Sequence, residues 1–288
     1  PFQGTLDFQG HTLKMRRTAG GSPITRVGNG AIIKNFVLDY TIDSYVNKSV
    51  ISWSRGLVYY NYGTIRDFII NLNLGQGMYR KNYSSGLCER NYGLVENFVV
   101  NYQAVSSNYV GCYFGGICYE NASGGVIRNG YAYCPGVLNV TTGVFGGTEG
   151  SGAISNAGVG LLTAVSNGKI ENVYVSGGLA VEDYATNGSL GSNALITGSG
   201  SDVSNSFTIG ELYKVVWVEE GGRKIRQAQQ YTTYGPALPG NVGASAQNNF
   251  YYTNFSVPYQ KNLQGRHEQI TNVALFQDPT FYDRTVNR

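Results

Sequence analysis

The sequence predicts an all-β protein: a single-stranded, right-handed parallel β-helix of about seven to eight coils with one inserted β-hairpin. Three observations predict it. A short motif closing on Asn or Asp recurs, with the closing residue at 35, 67, 97, 129, 156, 172, 205 and 248. Apolar and polar residues alternate around each copy with the strand period of two, and no stretch repeats at the helical 3.6. Glycine makes up 40 of the 288 residues, about twice the ~7% of ordinary chains, without collagen's three-residue period. Short strands punctuated by bends satisfy all three.

The elements follow in chain order. Pro1-Phe2 leads directly into patterned sequence, which favours a processed or partial chain. Ile33-Lys34-Asn35 is the first closing motif. Gly56-Leu57-Val58 then leads through Asn61 and Gly63 to Ile65-Arg66-Asp67, and Gly86-Leu87-Cys88 through Asn91 and Gly93 to Val95-Glu96-Asn97. A third copy runs from Gly116-Ile117-Cys118 to Ile127-Arg128-Asn129, lengthened by two residues. Later copies close on Ile170-Glu171-Asn172 and Val203-Ser204-Asn205, with weaker ones at Ile154-Ser155-Asn156 and Ala246-Gln247-Asn248. The spacings are 32, 30, 32, 27, 16, 33 and 43 residues. The 27 and 16 mark either 156 or 172 as irregular, and the 43 marks an insertion. A propeller blade needs ~40–50 residues, longer than most of these steps.

Coils of this kind stack equivalent strands ~4.8 Å apart, so like residues form columns. Asn35, Asp67, Asn97, Asn129, Asn172 and Asn205 are expected to form an amide ladder at a bend. Asp67 keeps an acceptor there but loses a donor. Apolar residues stand two before the ladder (Ile33, Ile65, Val95, Ile127, Ile170, Val203) and two after it (Val37, Ile69, Val99, Tyr131, Tyr174, Phe207, Phe250). A single alternating strand would carry them on its apolar side. Gly56, Gly86 and Gly116 open the motif, and Gly63, Gly93, Gly125 and Gly168 precede its aliphatic residue; positive φ is expected there.

Residues 1–288 read as one β-helix domain, with 211–243 as an insertion. Leu212–Val218 reads as a strand, Glu219-Glu220-Gly221-Gly222 as a turn and Arg223–Arg226 as the return. Trp217, Arg223 and Arg226 are candidate partner contacts on this projecting hairpin. A second departure, the glycine-crowded stretch 143–160, holds no G-x-x-x-x-G-K-[ST] phosphate loop.

Net charge is +3, from 21 basic and 18 acidic residues. This is too little for a nucleic-acid footprint, and no apolar run reaches the ~18 residues of a membrane helix. Cys88, Cys112, Cys118 and Cys134 contain no C-x-x-C, and His11 and His267 lie far from them in sequence, so no zinc site and no cofactor are expected. Cys88 and Cys118 share one motif position. Stacked at ~4.8 Å they exceed the ~3.8 Å that bridged Cβ atoms prefer, which favours a thiol stack. Cys112 and Cys134 are candidates to pair with each other. Sequons at Asn47, Asn82, Asn121, Asn139, Asn187 and Asn254 point toward a secreted glycoprotein.

These residues resemble the GLUG-motif repeats of bacterial surface proteins, including the non-catalytic region of immunoglobulin-A-cleaving metalloproteases. The likeness rests on Pro1–Leu13, on the Gly-Leu-Val…Asn…Gly…Ile-x-Asn core, and on Phe276-Gln277-Asp278-Pro279-Thr280-Phe281-Tyr282, which is similar to a segment that closes such arrays. The resemblance implies a surface-display or stalk element without catalytic residues. The H-E-x-x-H zinc helix of the protease is absent.

The expected function is therefore a non-catalytic extracellular or cell-surface β-helix, an adhesin stalk or fibre subunit. Its expected partners are copies of itself end to end, another surface protein, or a glycan. The alternative is a secreted carbohydrate-binding or polysaccharide-cleaving β-helix, using the 23 tyrosines as sugar platforms. Cleavage needs paired carboxylates. Asp39 and Asp43 are the closest pair within one coil, with Asp67 in the next. A Ser/His/Asp triad would need His11 or His267, both in terminal coils.

Overall fold

The computed structural model describes residues 1–17, 21–42, 53–74, 83–103, 109–110, 113–142, 158–183, 192–193, 195–230, 247, 249–252 and 267–269. These contain strands and turns and no helix. The strands form a seventeen-stranded and a five-stranded sheet. Among the described strands, the hairpin Phe207–Glu220 with Arg223–Gln230 is the only antiparallel pairing. The architecture is a parallel β-helix. One column, Thr12–Val37–Ile69–Val99–Tyr131–Tyr174–Phe207–Phe250–Glu268, crosses nine levels. That slightly exceeds the expected coil number, because the terminal levels lack the full motif.

A representative coil shows the plan. Trp53–Ser54 lies in the smaller sheet, beside Tyr83–Ser85 of the next coil. Val58–Asn61 and Thr64–Leu74 lie in the larger one, separated by Tyr62-Gly63. Within the long strand, Asp67 bends the chain with φ of 57°. Asn35, Asn97, Asn129, Asn172 and Asn205 do the same at 58°, 54°, 55°, 53° and 48°. Asn and Asp are the non-glycine residues that best tolerate this left-handed region, which is why the motif closes on them.

This bend changes the side-chain phase. Ile33, Ile65, Val95, Ile127, Ile170 and Val203, two residues before the bend, have no exposed surface. One residue after it, Phe36, Phe68, Phe98 and Val173 are again buried. Two after it, Val37, Ile69 and Val99 face outward, with Ile69 38% exposed. An uninterrupted period of two misplaces them, because the left-handed residue turns the following strand over. The inward set resumes at Leu38, Ile70, Val100, Ala132 and Val175.

The ladder register passes directly from Asn129 to Asn172, since Arg128 pairs with Glu171 and Gly130 with Val173. Asn156 lies outside the described residues. The steps of 27 and 16 are thus one long coil of 43 residues, matching the later step from 205 to 248.

The expectation of positive φ holds at Gly56 (71°) but fails at its column mates Gly86 and Gly116, and at Gly63, Gly93, Gly125 and Gly168, where the Asn or Asp that follows carries the left-handed turn instead. The column needs glycine for another reason. A Cβ on Gly93 would collide with the carbonyl oxygen of Gly63 in the preceding coil.

The hairpin turns at Gly221 and Gly222, both at positive φ (58° and 73°). This suits a two-residue hairpin loop that follows strand twist. Glu211–Val215 still pair in parallel with Gly178–Glu182, so the coil's sheet continues into the hairpin base.

Candidate ligand groove on an outer bend

Three amide ladders cross the coils. The expected outer ladder runs in two segments. Asn172 Nδ2 donates to Asn129 Oδ1 (3.2 Å), Asn129 to Asn97 (3.5 Å) and Asn97 to Asp67 (3.0 Å). Separately, Asn35 Nδ2 donates to Asp7 Oδ1 at 2.9 Å. Asp67 has no N–H to pass on, so the chain of amide bonds stops between the segments. Arg66 instead places Nη1 3.6 Å from Asp67 Oδ2.

Sequence reasoning missed two further ladders. Asn71 donates to Asp39 (2.7 Å) and Asn101 to Asn71 (3.1 Å) on the half-buried outer side. Asp39 is thereby a ladder terminus, while Asp43 lies outside the described residues. The third ladder is fully buried. Asn61 Nδ2 donates to Asn91 (2.7 Å), Asn91 to Asn121 (2.9 Å) and Asn121 to Ser166 Oγ (3.1 Å). Each amide also donates to a backbone oxygen: Leu94, Val126 and Lys169 in turn. The signal for it was the repeated Asn ahead of Gly63, Gly93 and Gly125, which marks a bend whose polar group needs a partner.

This corrects one sequon. Asn121 is completely buried and its amide is spent in the ladder, so in the folded chain it is a core group, closed to glycosylation. Asn139 stands in strand Val126–Thr142. Asn47, Asn82, Asn187 and Asn254 lie outside the described residues.

Along the outer ladder runs a groove of about 770 Å³. Asn35, Asp67, Asn97 and Asn129 form its polar edge, and Val37, Ile69 and Val99 its apolar floor. Beneath lie the stacked rings of Phe36, Phe68 and Phe98, with centroids 5.2 and 5.8 Å apart. Gly130 ends this phenyl stack, because a Cβ there would enter the Phe98 ring. The floor column continues past Val99 to Tyr131, which stacks on Tyr174 at 4.8 Å and 14°. Tyr133, 43% exposed, lies parallel to Tyr131 at 6.3 Å.

A second aromatic cluster joins Tyr59, Tyr60, Tyr62 and Tyr92. Tyr62 and Tyr92 stack at 4.6 Å and 3°, with the Arg26 guanidinium 4.2 Å from the Tyr62 ring centre. Arg55 sits over Tyr59 and 2.6 Å from Glu89, an ion pair rather than a well-directed hydrogen bond. Burial pushes the Glu89 carboxyl up, and the Arg55 charge opposes that. Arg90 pairs with Glu120 at 3.2 Å. Both carboxylates are thus held by arginines, an arrangement suited to fixing side chains in place.

Cys88 and Cys118 are register neighbours and free, buried thiols. Cys134 is also free and buried, with Sγ 3.4 Å from the Gly136 oxygen, and Cys112 lies outside the described residues. Among the described residues no three His, Cys, Asp or Glu side chains are grouped to hold a metal. His11 and His267 lie on separate terminal levels. Trp217 stands opposite Arg226 in the hairpin, whose tip residues Glu219, Glu220 and Arg223 are exposed. Comparison of the chain with family models, with curated proteins and with solved structures found no match.

Proposed function

We propose that the chain is a non-catalytic structural or adhesive β-helix acting outside the cell or on its surface, where it joins copies of itself end to end or binds another surface molecule. The observation that carries this reading is where the polar side chains are spent. Three amide ladders, the Arg128–Glu96 pair (2.8 Å) and the arginine-held glutamates all tie one coil to the next. Such columns stiffen a solenoid along its axis, the property a stalk or fibre requires. Strand edges at the ends of a coil stack offer backbone groups for pairing, and head-to-tail pairing builds filaments. The exposed, charged hairpin tip adds a lateral contact surface.

Sedimentation across a wide concentration range, with electron microscopy of the same samples, tests the assembly. Concentration-dependent growth into rods supports it, and a monomer at every concentration overturns the filament form. Intact mass before and after deglycosylation of the naturally produced protein tests the extracellular assignment.

A further inference from the structure

We propose that the groove along the outer Asn ladder binds a neutral, unbranched polysaccharide lying along the helix axis, with one sugar ring against Tyr131. This deepens the adhesive half of the reading above by naming its ligand.

The groove spans the levels of Gly10, Asn35, Asp67, Asn97 and Asn129. Four steps of ~4.8 Å make it about 19 Å long, enough for several sugar rings. Its two edges differ in chemistry. Val37, Ile69 and Val99 offer a continuous apolar strip suited to the C–H faces of sugars. The amides beside them repeat once per coil. A primary amide has two N–H donors and an oxygen with two lone pairs. Asn97 gives one N–H to Asp67 and accepts one bond from Asn129, so a donor and a lone pair remain for a ligand at this exposed rung. Asn129 stands the same way between Asn172 and Asn97. A ligand presenting hydroxyls at regular intervals matches this row. Peptide backbone, advancing ~3.3 Å per residue, falls out of step with it.

Charge selects among polysaccharides. Among the described residues lining the groove Asp67 is the one acidic side chain, and Arg66 is paired with it from beside the lining. Among the described residues the lining holds no Lys or Arg to attract a uronate or sulfate, the nearby Arg66 being paired with Asp67, and the carboxylate disfavours an anion. The aromatic end fixes a position along the groove. Tyr174 covers one face of Tyr131, and the other face looks toward the smaller Val99 one level down. A sugar ring over Val99 would stack there, with Tyr133 alongside.

The test is calorimetric titration of the whole chain with hexasaccharides of neutral β-linked glucose, neutral β-linked N-acetylglucosamine, neutral α-linked glucose, and an acidic polyuronate. Saturable binding of at least one neutral hexasaccharide and none of the polyuronate is expected. Ile69→Asp and Val99→Asp change outward-facing residues and should each weaken binding at least tenfold. Tyr131→Ala should weaken it severalfold, while Ser123→Asp on an exposed turn outside the groove should leave it unchanged. Thermal melts of each variant separate lost binding from lost folding. The proposal is overturned if no neutral hexasaccharide binds at millimolar concentration, if the polyuronate binds as well as they do, or if folded Ile69→Asp and Val99→Asp variants bind like the parent. None of these outcomes bears on filament growth, which sedimentation reads separately.

Discussion

Replacing Asp67 with Asn should join the two segments of the outer ladder. In the native chain Asn97 donates to Asp67 and Asn35 donates to Asp7, and the step between Asp67 and Asn35 lacks a donor. Asp67→Asn supplies an N–H directed toward Asn35 while still accepting from Asn97. One added hydrogen bond contributes about 0.5–1.5 kcal/mol net. The loss is the Arg66–Asp67 pair, at 3.6 Å with both side chains about a third exposed. An exposed pair of that kind is worth about 0–1 kcal/mol. The backbone at φ 57° accepts either residue. Taken at the middle of each range, the balance is a gain of about 0.5 kcal/mol, which raises Tm by about 1–2 °C in a chain of this size. Differential scanning calorimetry reads it directly. The reciprocal change, Asn97→Asp, removes the donor to Asp67 and sets two carboxylates on adjacent rungs, so it should lower Tm. If Asp67→Asn lowers Tm as Asn97→Asp does, directional amide bonding is not what holds this column.

Asn91→Leu deletes the middle rung of the buried ladder and strands Asn121 Oδ1 and the Val126 oxygen; a loss of about 2–4 kcal/mol is expected in urea denaturation. Gly130→Ala drives a methyl group into the Phe98 ring and should cost about 1–3 kcal/mol by the same assay. Burial pushes the Cys118 and Cys134 thiols up, so both should resist alkylation at neutral pH until denaturant is added, as mapped by peptide mass. The Gln9 backbone N–H, followed by the Asn35 amide and Lys34, holds the Asp7 carboxyl below its ordinary value. A lowered folded value stabilises at neutral pH, and that contribution fades as pH falls from the ordinary aspartate range through the lower one. Hydrogen exchange, corrected for intrinsic rate, should therefore show residues 1–17 losing protection in acid ahead of the central coils.

The repeat was legible because its column residues answer to one constraint each. Asn35, Asp67, Asn97, Asn129, Asn172 and Asn205 all take the left-handed turn, and few other side chains tolerate it. The same constraint hid the facing of Val37, Ile69 and Val99. A period of two counts residues along a strand and cannot register a residue that turns the strand over. The groove floor is built from those misplaced residues, so the candidate site was the least legible part. The inner ladder was hidden differently. Asn61, Asn91 and Asn121 look like turn residues because asparagine is common in turns, and nothing local tells a solvated amide from a buried one. Burial comes from the neighbouring coil, about 30 positions away, where Asn91 supplies the acceptor for Asn61.

The two best-developed ladders run in opposite senses. In the outer ladder each amide donates toward the N-terminal coils and ends on a carboxylate, Asp67 or Asp7. In the buried ladder each donates toward the C-terminal coils and ends on Ser166, whose hydroxyl in turn donates a hydrogen bond to the Gly168 oxygen. Where the terminus is exposed, a solvated carboxylate can end the chain. Where it is buried, a charge would be costly, and a hydroxyl that both accepts and donates ends it without one. This also accounts for the long coil between Asn129 and Asn172. Ser166 has its own partner in Gly168, so the buried ladder closes there, while the outer ladder crosses the same step through Asn172 and Asn129. Both columns therefore hold their register across this long step as they do across steps of 30 or 32 residues.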